Sequence, residues 1–110
     1  MARPRRRPEN DFQRSVLDLA ALYRWDAWHN PDSRKTRAGW IDLTLLGHGR
    51  ALFAELKSST GRATAEQRLV LDQLEDAGCE VALWRPVHLP LIARALGPQQ
   101  ERLTPWRGER

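Results

Sequence analysis

Asp42, Glu55 and Lys57 are the residues of this chain whose types and spacing could do chemistry together. The stretch Gly47-His48-Gly49-Arg50 separates two apolar runs, residues 41–46 and 51–57, and its glycines suit a tight hairpin turn. With the turn centred on residues 48–49, Asp42 sits opposite Glu55, Thr44 opposite Phe53 and Leu46 opposite Ala51. Side chains alternate along a strand, so Asp42, Glu55 and Lys57 share one face, with Lys57 diagonal to Asp42 and opposite Trp40. Ile41, Leu43, Leu45, Leu52, Ala54 and Leu56 form the other face, which is wholly apolar and is expected to be core. Like charges placed directly opposite on paired strands destabilise the pairing. A hard divalent cation such as Mg²⁺, which prefers carboxylate oxygens in a compact octahedron, removes that repulsion. A neighbouring Lys can orient a water and offset charge building on a cleaved phosphate. Two carboxylates and a lysine are thus the set that metal-assisted phosphodiester hydrolysis needs. The bland alternative is a salt bridge of Lys57 with one of the carboxylates at a frayed strand end. Composition favours the chemical reading: the chain carries 16 Arg and only two Lys, so a compact ammonium beside carboxylates is a choice against the prevailing cation.

Other elements must hold that hairpin in place. Apolar residues at Phe12, Val16, Leu19, Ala20 and Tyr23 make one stripe of an amphipathic helix over residues 9–23. Residues 24–29 alternate weakly, as a short strand would, and residues 30–38 read as a loop made basic by Arg34, Lys35 and Arg37. Thr64 with Gln67 three residues on is a capping box, opening a helix whose apolar face is Val70, Leu71, Leu74 and Ala77 and which Gly78 stops. Residues 79–84 are a final apolar strand, with Cys79 read as a small core hydrophobe. A last helix covers residues 88–96, with Pro90 in its first turn. The order α-β-β-β-α-β-α gives an α/β fold, a mixed sheet flanked by helices, in which the strands at 51–57 and 79–84 run parallel through a crossover. The expected organisation is a disordered basic arm at 1–8, one domain at 9–97 and a polar C-terminal tail at 98–110.

Charge does not settle the partner. Arg3, Arg5, Arg6 and Arg7 lie in the arm, and removing those four from the 18 basic residues leaves 14 against 14 acidic ones. The folded body is formally neutral, which argues against tight non-specific binding to duplex nucleic acid. A single cysteine excludes an internal disulfide and a multi-thiolate metal site, and no apolar run reaches the length of a membrane span. A reducing, cytoplasmic setting is expected.

Further residues fall into an ordered set: Glu9-x-x-x-Gln13, Trp28-His29, Ser33, Gly39-x-x-Asp42, Ala54-Glu55-Leu56-Lys57, Gly61, Gln67, Ala77-Gly78 and Val81-x-x-Trp84-Arg85-Pro86. Together, over residues 9–96, they resemble the VRR-NUC family of the PD-(D/E)XK nuclease superfamily. One departure is Ile41, where the family usually carries Pro before the Asp. The resemblance implies a restriction-endonuclease-like core, a Mg²⁺- or Mn²⁺-dependent endonuclease that cuts DNA, and frequent homodimers. It implies that Asp42 and Glu55 hold the metal with the backbone carbonyl of Leu56, that Lys57 serves the attacking water, that Glu9 reaches the metal or its water shell, and that Gln67 supports the site. His29 and the loop residues Ser33, Arg34, Lys35 and Arg37 are candidates for contacting the DNA backbone. Selectivity for branched, flap or junction DNA is the expected specificity. DNA, a second copy of the chain and an accessory replication or recombination protein are the expected partners, with no membrane. A function from a different class is a non-catalytic DNA-binding or assembly subunit that keeps the nuclease fold.

Overall fold

His48 and Gly49 both take positive φ, 53° and 72°, so the hairpin closes through a two-residue turn whose twist matches its strands. His48 tolerates that conformation because its Nε2 bonds the Tyr23 carbonyl oxygen at 2.8 Å and its ring lies 4.9 Å from that of Trp25. The turn sets the register: Leu43 pairs with Ala54, Thr44 with Phe53, Leu45 with Leu52 and Leu46 with Ala51. These are the pairings the sequence predicts.

The computed structural model describes residues 8–30 and 37–109. Helix α1 (Pro8–Leu22) leads into strand β1 (Asp26–His29), followed by β2 (Leu43–Gly47) and β3 (Arg50–Leu56). Helix α2 (Ala65–Asp76), strand β4 (Glu80–Trp84) and helix α3 (Leu89–Leu96) complete the expected order. The sheet runs β1-β2-β3-β4, with β1–β2 and β2–β3 antiparallel and β3–β4 parallel across the α2 crossover. Helices cover both faces. Leu43, Leu45, Leu52, Ala54 and Leu56 meet Phe12, Val16 and Ala20 of α1 and Ile92 and Leu96 of α3. On the reverse face Val81 and Leu83 pack with Leu71 of α2. No helix of the described residues is long and apolar enough to cross a membrane.

Several details differ from the sequence reading. Strand β2 starts at Leu43, two residues later than expected, and Ile41 packs with Leu71, Val81 and Leu83 on the α2 side rather than with Leu43 and Leu45. The cause is a substituted hydrogen bond. In this register the Leu56 N–H would face the carbonyl of Ile41, but it donates to Asp42 Oδ2 at 3.0 Å instead. The ladder ends there, the chain bends, and Ile41 swings beneath α2, where it is 1% exposed. Trp40 consequently lies in a turn, 45% exposed, rather than in a strand opposite Lys57. Cys79 is only partly buried, since it falls in the turn before β4.

The segment expected to be a polar tail is a working part of the fold. Trp106 is buried beside Ile41 and Leu71, and its indole N–H donates to Asp72 Oδ1 at 2.7 Å. Arg107 follows with bonds to Asp76 Oδ1 at 2.7 Å and Asp72 Oδ1 at 3.2 Å, clamping a single 3-10 turn (Trp106–Glu109) onto α2. Leu103 packs against the main core. Replacing Trp106 by Ala is therefore expected to lower stability by about 3 kcal/mol, the usual cost of emptying a buried aromatic site. Urea unfolding followed by tryptophan fluorescence and circular dichroism measures it. A midpoint equal to the parent's would mean that the segment is not part of the cooperative fold.

Candidate active site

Asp42 stands at the bend before β2, half-buried, with its backbone oxygen accepting from Asn30 N at 2.8 Å and its Oδ2 from Leu56 N at 3.0 Å. The approach to it depends on Gly39. That residue has φ +89°, and an added Cβ would lie 2.7 Å from the Glu66 backbone, so only glycine lets the chain pass this close to the first turn of α2.

Glu55 lies one residue before the end of β3, between Asp42 on one side and Leu83 of β4 on the other. It is 1% exposed, the one buried charged residue among those described. Gln67 Nε2 donates to its Oε2 at 3.1 Å, and Lys57 Nζ lies 3.6 Å from the same oxygen. Oε1 is buried with no donor to bond. Asp42 is its polar neighbour, and two carboxyls can bond each other only by sharing a proton. Burial first, then this contact and the Asp42 charge, push the Glu55 carboxyl from its ordinary 4.5 up to about 8, against the pull of Lys57. A buried, under-bonded carboxylate beside another is a group that needs a proton or a cation.

Gln67 makes two sets of contacts with one side chain, to the helix cap and to Glu55. Its Oε1 accepts from Thr64 N at 2.9 Å, completing the capping box with Thr64 Oγ1, which accepts from Gln67 N at 3.1 Å. That box fixes the side chain so that its Nε2 meets Glu55. Lys57 is half-buried beyond the strand end, its amide bonded to the Trp84 carbonyl oxygen at 2.9 Å. Its aliphatic stem runs past Gly61, where an added Cβ would sit 3.7 Å from Lys57 Cδ.

No family model matches the chain, and no curated protein or solved structure does either. The geometry has to speak for itself. Asp42, Glu55, Lys57 and Gln67, from four places in the sequence, converge on one side of the sheet under the start of α2. Leu56 contributes the N–H that fixes Asp42, while the next peptide, which carries the Leu56 carbonyl expected as a further ligand, is held by Lys57 N donating to the Trp84 carbonyl oxygen. Among the described residues no third His, Cys, Asp or Glu joins the two carboxylates. Glu9 falls in the first turn of α1, but its side chain lies outside the described residues, as do Ser33, Arg34 and Lys35. His29 ends the exposed edge strand β1 and, with Trp28, Asn30, Trp40, Asp42 and Thr44, rims a cavity of about 230 Å³ that opens onto Asp42. Arg37 is elsewhere, on a groove over Leu69 and Gln73 of α2. The other two histidines have clear placements: His48 braces the hairpin turn, and His88 Nδ1 accepts from Arg85 N at 2.9 Å. Lone histidines carry no periodic signal, so only the folded chain could place them.

The raised Glu55 carboxyl gives a pH test with a definite sign. The folded chain holds a proton there that the unfolded chain has already released, so this stabilisation is full below about pH 4.5 and is lost as pH rises towards about 8. Metal-free protein is therefore expected to lose stability across that window by up to about 1.4 kcal/mol per pH unit. Glu55→Gln should flatten the profile. Urea midpoints at intervals of one pH unit in EDTA measure both, and equal slopes in parent and variant would refute the assignment.

Proposed function

We propose that this chain is a divalent-metal-dependent endonuclease that hydrolyses DNA phosphodiester bonds, built on a restriction-endonuclease-like core of the VRR-NUC kind. The observation that carries the reading is the buried, donor-less Glu55 Oε1 beside Asp42, with Lys57 Nζ 3.6 Å from the other oxygen of the same carboxylate. Folding alone gives no reason to bury two carboxyls together. The donor set fits a hard cation: Asp42 and Glu55 would hold Mg²⁺ or Mn²⁺ with the Leu56 carbonyl, and Glu9 is the candidate to complete the shell. Such an ion, when bound, supplies Lewis-acid charge to the scissile phosphate and acidifies water at neutral pH.

The chain's own groups supply the rest. Lys57, anchored through its amide to Trp84, holds an ammonium beside the carboxylates, where it can orient a water and balance charge developing on a pentavalent phosphorus. Gln67 keeps Glu55 from rotating, because its own amide is locked in the capping box. The same donor favours the ionised form of Glu55 over the protonated one once a cation compensates the burial. Trp28 is 62% exposed and stands with His29 at the open cavity beside Asp42, a platform on which an unpaired base can stack. An open platform of this kind suits flaps, branches and junctions better than a fully stacked duplex, and supports the structure-selective form of the proposal.

Purified protein with Mg²⁺ or Mn²⁺ is expected to cut at least one of single-stranded, duplex, flap and junction DNA. Asp42→Ala and Lys57→Ala should each lower the rate by about 100-fold or more, the usual loss on removing a group that stabilises transition-state charge. Intact DNA across the whole panel, or variants that cut as fast as the parent, would overturn the proposal. DNA binding without any divalent-metal binding in calorimetry would instead identify a non-catalytic DNA-binding or assembly subunit.

A further inference from the structure

A second cavity, of about 660 Å³, opens at the C-terminal end of β4. Its cationic lining is Arg62, Arg68, Arg85 and the imidazole of His88, and its floor is apolar, with Leu83 and Trp106 both buried. Among the described residues no acidic side chain lines it. Three guanidinium groups drawn towards one apolar hollow repel one another, and nothing in the packing of the sheet requires them there.

The two inner groups are held ready. Arg85 Nη1 donates to the carbonyl oxygens of Ser58 at 2.7 Å and Gly61 at 2.6 Å, which fixes the guanidinium without neutralising it. The same loop is closed by Gly61 N donating to Ser58 Oγ at 2.9 Å. His88 Nδ1 accepts the Arg85 backbone N–H, which leaves the ring proton on Nε2 as a donor on the cavity lining. Arg62 and Arg68 are exposed and, among the described residues, have no hydrogen-bonding or ionic partner. Pinned donors, free cations and a low-dielectric floor together make an anion site with the fork geometry that phosphate oxygens accept.

Its position says which anion. Leu83, on the floor, is the register partner of Glu55, so the hollow begins one strand away from the proposed metal carboxylates on the same side of the sheet. The cavity at Asp42 opens on the β2 side, and the start of α2 stands between the two. From β2 to β4 is two strand spacings, about 10 Å.

We infer that the Arg62/Arg68/Arg85/His88 cavity anchors a backbone phosphate of the DNA strand flanking the bond that is cut. This rests on the nuclease reading for the position of the cut, but the anchoring itself is measurable without cleavage. The probe is a fluorescein-labelled 20-nucleotide DNA flap, titrated with the full chain in EDTA and followed by anisotropy at several salt concentrations. R62Q/R68Q is the test variant, since neither side chain supports the fold. Its affinity is expected to fall about 10-fold, and the slope of log K against log salt to shrink by about 1, the loss of one phosphate contact. Unchanged affinity and slope, or a parent that does not bind the flap, would overturn the inference. So would protection of the parent, but not of R62Q/R68Q, against thermal unfolding by inorganic phosphate with no change in flap binding, because the site would then serve a small free anion. The nuclease reading stands or falls separately, on metal-dependent cleavage by the parent and its loss in Asp42→Ala.

Discussion

Burying the Glu55 carboxyl beside Asp42 costs free energy that no apolar replacement would, and the surrounding elements are arranged to contain that cost. Only one of its oxygens is compensated, by Gln67 and Lys57, and both donors act on Oε2. The other is left facing a second carboxyl. A fold that sought stability alone would bond both oxygens or replace the pair with leucines, since partly satisfied buried polar groups are worse than none. The asymmetry reserves a vacant pair of oxygen lone pairs at a defined point of the sheet. The parallel neighbour β4, the capping box of α2 and the hairpin turn can each be understood as fixing one wall around that point.

Asp42 links this electrostatic arrangement to the backbone. By accepting the Leu56 N–H it ends the β2–β3 ladder, and the resulting bend sends Ile41 into the layer under α2. Proline at position 41 would end a ladder for a different reason, because it lacks an N–H to give. Ile41 reaches a similar geometry through side-chain capture by Asp42, and adds a buried apolar anchor beside Leu71 and Trp106.

The hairpin register could be read from the sequence because it depends on local chemistry: Gly47-His48-Gly49-Arg50 admits few turns, and alternation does the rest. The shared face of Asp42, Glu55 and Lys57 follows from that register alone. What could not be read are contacts that join distant segments with no periodic mark. The capping box of Gln67 is legible in the sequence, but its bond to Glu55 is not, because a sequence gives no sign that one amide can serve the cap with its oxygen and a distant carboxyl with its nitrogen. Trp106 sits among polar residues, so its burial depends on Asp72 and Leu71, which lie more than thirty positions away. Cys79 shows the reverse error: an apolar label was given to a residue that falls in a turn.

The neutral body of the chain also reads differently once charges are located. Acidic residues are largely consumed in structural pairs: Glu80 with Arg50 at 2.8 Å and Arg102 at 3.1 Å, Asp76 and Asp72 with Arg107, and Glu101 with Arg94. Those pairs tie the C-terminal segment to the sheet and to α2. The cations left unmatched at Arg62, Arg68 and Arg85 gather around one hollow, while Asp42 and Glu55, with Lys57 beside them, sit one strand away. Zero net charge therefore coexists with a steep local gradient from negative to positive across the start of α2. Such a gradient is screened beyond about 8 Å at physiological salt. It adds little to long-range capture of a polyanion; on the proposed function it would act at contact, orienting a strand between the arginines and the carboxylates. On the proposed function, the neutral body argues for geometric selection of substrate over tight binding to any duplex.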